Sequence, residues 1–140
     1  MSSAQVGTSR EPSSTRFAGP EHLLDLDAAL ASLRREPHAA KDSHRQITVF
    51  HHGPLRLVLF AFEAGGHLRE HRVPGVVVMR ALKGTLRVRT PLETYELMQG
   101  KILVLDPDVP HEVEARESAD MLLSVSLVPR ARNGSEPNAV

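Results

Sequence analysis

Between residues 46 and 128 the chain is a succession of short β-rich runs, and this rhythm restricts the fold more than any other feature. The runs are QITVFHH, LRLVLFAFEA, GVVVMRAL, TLRVRT, TYELM, KILVL, HEVEA and MLLSVSLV. Gly-Pro, Gly-Gly, Pro-Gly, Lys-Gly and Asp-Pro-Asp punctuate them, and such pairs favour turns. Many short strands at close spacing predict an all-β sandwich or barrel. No helix-length periodic segment lies between them, which argues against a parallel β/α architecture. One run also poses a packing problem. LRLVLFAFEA holds five consecutive apolar residues, Leu57 to Ala61, so both faces of that strand need cover. One face can meet the barrel core, and the other needs a helix or a second subunit.

A helix is available upstream. Leu23, Leu26, Leu30 and Leu33 recur at steps of three and four, which places them on one helical face. The segment 21–37 is therefore expected to be a short helix, with Pro20 near its start and Pro37 closing it. A helix of this length is marginal alone in water and has to pack on something. Residues 1–20 and 129–140 are rich in small and polar residues, and flexible tails are expected there.

The 140 residues suggest one domain. Lys plus Arg and Asp plus Glu both number 17, so bulk charge points to neither nucleic acid nor membrane as a partner. The absence of cysteine excludes disulfides, thiolate metal sites and a cysteine nucleophile. No apolar run approaches the ~20 residues needed to cross a bilayer. The N-terminal stretch lacks the apolar middle of a signal peptide, and a cytoplasmic location is the expectation.

Two stretches have a fixed internal spacing. In the first, Gly65, His71, Val73, Val77 and Gly84 stand in series; in the second, Gly100, Asp106, Asp108, His111 and Ala115. Their order and spacing resemble the two motifs of the RmlC-like cupin superfamily, of the cupin type-2 barrel kind. In the first motif Val73 stands where the family has a second His, and Val77 where it has Glu. In the second, Asp106, Asp108 and Ala115 replace the family's Pro, Gly and Asn, while His111 falls in register. The resemblance spans roughly residues 46 to 128. It implies a double-stranded β-helix, the jelly-roll barrel of the cupins, with one short N-terminal helix.

The same resemblance implies a pocket at the barrel mouth. A complete family site holds a divalent metal such as iron, manganese, nickel or zinc on three His and one Glu. Here His71 and His111 carry over, and they are the candidate polar anchors and candidate metal ligands. Val73 and Val77 would make the pocket drier. His67 and His51 are candidate additional ligands. In an extended strand residues 67, 69 and 71 point the same way, but His67 would stand roughly 13 Å from His71. His51 and His52 alternate faces, so one of them points inward if 47–52 is a strand. Arg69 shares the expected inward parity of His71 and could meet an anionic ligand. Met79 follows Val77 by two and is expected to line the same interior. Glu70 and Glu112 are expected to point outward, and Tyr95 to serve packing.

The leading expectation is a small-molecule-binding protein with His71 and His111 as anchors and no certain cofactor. The alternatives are a metal-dependent dioxygenase or isomerase with a reduced ligand set, and a structural or sensory dimer without ligand. A homodimer is expected, since an uncovered strand face or sheet edge attracts another chain.

Overall fold

Alternating burial along the strands divides the molecule into an interior and an outer layer. The structure, a computed structural model, describes residues 19–37 and 42–129. Its elements are α1 (Leu26–Arg34), β1 (His44–His52), β2 (Leu55–Phe62), β3 (His67–His71), β4 (Gly75–Lys83), β5 (Leu86–Arg89), β6 (Thr94–Leu97), β7 (Ile102–Leu105), β8 (His111–Ala115) and β9 (Ala119–Leu127). The strands form two antiparallel sheets, ordered β1-β2-β9-β4-β7 and β3-β8-β5-β6. The chain passes repeatedly from one sheet to the other, the winding of a jelly-roll barrel. The tails expected at 1–20 and 129–140 lie outside the described residues except for 19, 20 and 129. Among the described residues no helix is long and apolar enough to cross a membrane.

The barrel interior is lined by alternate residues of neighbouring strands, and those of the second sheet close it from the other side. Val77, Met79 and Ala81 of β4 meet Met121, Leu123 and Val125 of β9 in one buried cluster, with Val58, Phe60 and Phe62 of β2 beside them. Gly84 makes the β4–β5 connection possible. It has φ +75, and a Cβ there would stand 2.7 Å from the Ser118 carbonyl oxygen, so a side chain would be both strained and crowded.

The other side of β2 belongs to a second cluster. Leu59 and Ala61 pack with Ile47 and Val49 of β1 under Ala29, Leu30 and Leu33 of α1. The strand that carries the apolar run from Leu57 thus has both faces covered within one chain, and its outer face is no reason for a second subunit. Each buried leucine of α1 contributes about 1.5–3 kcal/mol by leaving water, which offsets the marginal stability of a helix this short.

The helix is shorter than the leucine spacing predicts. Asp25 is its N-cap, with Oδ1 accepting from the Ala28 N–H at 3.0 Å. That cap fixes the start after Leu23, which is 92% exposed and outside the helical face. Pro20 lies upstream and does not begin the helix, while Pro37 follows its end at Arg34. Arg34 pins that end to the barrel. Its guanidinium donates to the Ala119 carbonyl at 3.1 Å, the Phe62 carbonyl at 3.4 Å and the buried carboxylate of Asp120.

Candidate functional site

A tight turn delivers His111. Asp108 takes φ 64, a left-handed conformation that short polar side chains tolerate better than most. It stands where the family motif has glycine, so the backbone shape persists with a different residue. The Asp108 N–H donates to the Val73 carbonyl at 2.8 Å, tying this turn to the loop after His71. β8 then begins with His111 as β3 ends with His71, and the two residues are register partners.

The two rings lie against each other, their centroids 4.4 Å apart and their planes inclined by 57°. The backbone fixes each ring. His71 Nδ1 is 3.0 Å from the Arg69 carbonyl, and His111 Nδ1 is 2.9 Å from the Val109 carbonyl. A carbonyl oxygen only accepts, so each Nδ1 carries a proton and the neutral ring keeps its lone pair on Nε2.

The pair is asymmetric in burial. His111 is 2% exposed, whereas His71 is exposed at the barrel rim. Burial pushes the His111 pKa below 6.5, the hydrogen bond to Val109 opposes the shift, and the neighbouring His71 adds to it. His111 is therefore neutral at pH 7. An unfolded chain would protonate this residue more readily than the native one, so its contribution to stability is complete above about pH 6.5 and falls as the pH drops through and below that value. The ring protons of His111 are expected to titrate with a midpoint below 6.5 in an NMR pH series. A midpoint at or above 6.5 would show that the ring is hydrated.

An irregularity in β3 corrects the expected face of Arg69. Leu68 pairs with Val113 and His71 with His111, so three steps along β3 match two along β8. The extra residue reverses side-chain parity. Leu68 and His71 thereby share the inner side, and Arg69 turns out. Its side chain is 76% exposed and lies against Asp42, with Nε 3.2 Å from Oδ2 and Nη2 3.3 Å from Oδ1. The hydrogen bond and charge of Asp42 raise the Arg69 pKa. His67 lies on the same side, its Nε2 3.9 Å from Asp42 Oδ1, and is drawn towards Asp42 rather than His71. Glu112 is outside as expected, paired with Arg89.

A cavity of about 260 Å³ opens beside His71, between β1, β2 and β9 on one side and β3 with its following loop on the other. Val58, Phe60, Leu68, Val73, Leu123 and Val125 form its apolar wall. The polar groups on it are Gln46, His51, Arg56 and His71. His51 is thus the inward member of the His51–His52 pair, while His52 stacks on Phe50 with ring centroids 6.4 Å apart. His111 backs the His71 ring without lining the cavity. Val77 and Met79 do face inward, but they are 2% and 0% exposed in the sealed core and are not part of this wall. Tyr95 packs against the same core.

Sequence reasoning passed over Arg56 and Gln46. For Arg56 the signal was present: it shares strand parity with Val58 and Phe60, so once those residues face the interior Arg56 points to the same side.

The donor set does not match a catalytic metal. Val73 and Val77 have no ligating atom. Among the described residues no group of three or more His, Asp or Glu side chains is gathered for a metal ion. Two imidazoles fall short of the roughly three protein ligands usual at a catalytic centre.

No protein-family model matches the chain, and no curated protein does. Solved structures do share its shape. A conserved protein of unknown function from Streptococcus pyogenes is 27% identical, covering 66% of this chain and 80% of its own, with a TM-score of 0.58. A cupin superfamily protein from Desulfitobacterium hafniense is 15% identical over 66% of this chain and 84% of its own, at a TM-score of 0.60. An RmlC-like cupin from Shewanella frigidimarina is 16% identical over 63% and 79%, at a TM-score of 0.59. At these identities the likeness establishes the fold, the jelly-roll barrel of the cupins.

Proposed function

We propose that this cupin-fold chain binds a small molecule in the cavity beside His71, with His71 as a polar anchor at the rim and His111 holding it from behind. The observation that carries this reading is the cavity itself. An apolar wall meets polar groups from separate strands, the usual make-up of a small-molecule site. At about 260 Å³ it lies below the roughly 300 Å³ at which drug-sized pockets begin, which favours a small ligand.

His71→Ala tests the reading. His71 is exposed at a strand end, so the variant is expected to keep its fold, while the amount of small molecule retained through native mass spectrometry falls by about tenfold. Unchanged retention would remove His71 from the site. His111→Ala is expected to lower retention as well, at a cost of about 2 kcal/mol or more in stability because it empties a buried position. The enzymatic alternative, a metal-dependent dioxygenase or isomerase, would be favoured instead by near-stoichiometric iron, manganese, nickel or zinc in protein purified without chelator.

With the outer face of β2 covered by α1, the surface we propose for a homodimer is the free sheet edge. β7 is an edge strand, and Ile102 and Val104 on its outer side are 58% and 54% exposed. A second copy would cover both the free edge and these side chains. Sedimentation at micromolar concentration is expected to show a dimer that Ile102→Lys with Val104→Lys dissociates; a monomeric parent chain would defeat the proposal.

A further inference from the structure

The polar part of the cavity is one-sided in charge. Arg56, His51 and His71 line it, and no Asp or Glu does so among the described residues. His51 and Arg56 are register partners across the β1–β2 hairpin, so their side chains leave the sheet side by side, about 5 Å apart at Cβ. His71 faces them from the opposite sheet. Four arginines of the barrel meet carboxylates, Arg45 with Glu63, Arg69 with Asp42, Arg87 with Glu96 and Arg89 with Glu112, but Arg56 is the arginine that lines the cavity. Arg56 has no hydrogen-bond or ion-pair partner among the described residues. A guanidinium beside the His51 imidazole, with no carboxylate nearby, is an arrangement that an anion completes; the His71 ring, its Nδ1 proton given to the Arg69 carbonyl, donates to that anion only through a protonated Nε2.

The rest of the wall determines what that anion is attached to. Behind the basic rim lie Val58, Phe60, Leu123 and Val125, and the one further polar group, Gln46, is neutral, with its Oε1 3.2 Å from His44 Nε2, so no charged donor awaits a second anionic end. A dicarboxylate would press its second charge against this apolar surface, where it is costly, and inorganic phosphate has no apolar part to cover it.

We infer that the site takes a small monocarboxylate with an apolar tail, its carboxylate held by Arg56 and His51 at the rim, with His71 opposite, and its tail against Phe60 and Val125. This rests on the small-molecule reading of the same cavity and adds the chemical class of the ligand. It also assigns binding roles to Arg56 and His51, on the hairpin opposite the His71–His111 pair.

The full chain is titrated with sodium hexanoate, hexan-1-ol and hexylammonium chloride, followed by NMR of the histidine rings and the Val and Leu methyls. Hexanoate is expected to shift His51, His71 and the Leu123 and Val125 methyls saturably. Hexanol should bind at least tenfold more weakly and hexylammonium more weakly still. Arg56→Gln should weaken hexanoate at least tenfold while leaving hexanol unchanged, a difference that a loss of folding could not produce. If hexanol binds as well as hexanoate and Arg56→Gln alters neither, the cavity binds small molecules but the carboxylate assignment is overturned. If none of the three probes shifts any cavity resonance, the small-molecule reading falls with it.

Discussion

Replacing Leu33 with Asp is expected to cost the fold about 4 kcal/mol or more, enough to leave much of the protein unfolded or aggregated. Leu33 is 2% exposed on the buried face of α1, in the cluster that includes Leu59 and Ala61 of β2. A carboxylate there would be buried without a partner, a change that costs several kcal/mol. The total stability of a domain is about 5–15 kcal/mol, so this one substitution would consume much of it. It would also undock α1 and bare the apolar outer face of β2, inviting association through the sheet. Urea denaturation followed by far-UV circular dichroism, with light scattering for aggregation, measures both consequences. Leu33→Met keeps the volume and the apolar character and should cost less than about 1.5 kcal/mol. A Leu33→Asp chain that kept the parent midpoint would mean that α1 is not docked, and the covered face of β2 would need another explanation.

The residues that made the fold legible are those whose constraint is local. Gly84 joins two strands with a positive φ, so its turn could be read from the Lys-Gly between them, whereas the Ser118 carbonyl that also leaves no room for a side chain is set by the distant pairing. The Leu57–Ala61 run announced a strand covered on both sides, and β2 does separate the two buried clusters. The helix was visible in its period but not in its boundary. Asp25 supplies a cap that a leucine count ignores, and Leu23 was lost from the helix for that reason.

Legibility at the site broke down at a bulge. Strand parity from His71 assigns Arg69 to the interior. The slip between Leu68 and His71 reverses that parity, and it arises from pairing with β8, some forty residues away in sequence. Nothing in the local sequence HLREH marks it. The closeness of His71 and His111 was readable because both are placed by motif turns, and the rings do meet at 4.4 Å. Their difference in burial was not readable, because it depends on which of the two the cavity reaches. Arg56 shows the opposite case, a residue that simple alternation from Phe60 would have placed and that attention to histidines obscured.

Phe60 joins the core to the cavity, and Phe60→Ala is expected to destabilise the protein by about 3–5 kcal/mol. The side chain is 4% exposed, belongs to the barrel cluster and also forms part of the cavity wall. It stacks beside Phe62 at a centroid distance of 6.0 Å and lies 5.8 Å from the His44 ring. Truncation removes these contacts together with the transfer free energy of the ring, and the strands on either side are held by their ladders and cannot close the gap fully. Because Phe60 already borders the cavity, the vacated space would join it rather than remain a sealed void. The variant should therefore be less stable and more receptive to apolar tails. Octanoate is expected to raise its melting temperature by more than it raises that of the parent, since ligand bound only to the native state stabilises by RT ln(1 + L/Kd) at free ligand concentration L, an amount larger for the tighter site at the same concentration. Thermal unfolding of both proteins across an octanoate series separates the two effects: the ligand-free difference reports the lost packing, and the larger octanoate-induced increment at each concentration reports the enlarged site. A Phe60→Ala protein that loses stability but gains no extra stabilisation from octanoate would place Phe60 in the core alone, with the cavity ending short of it.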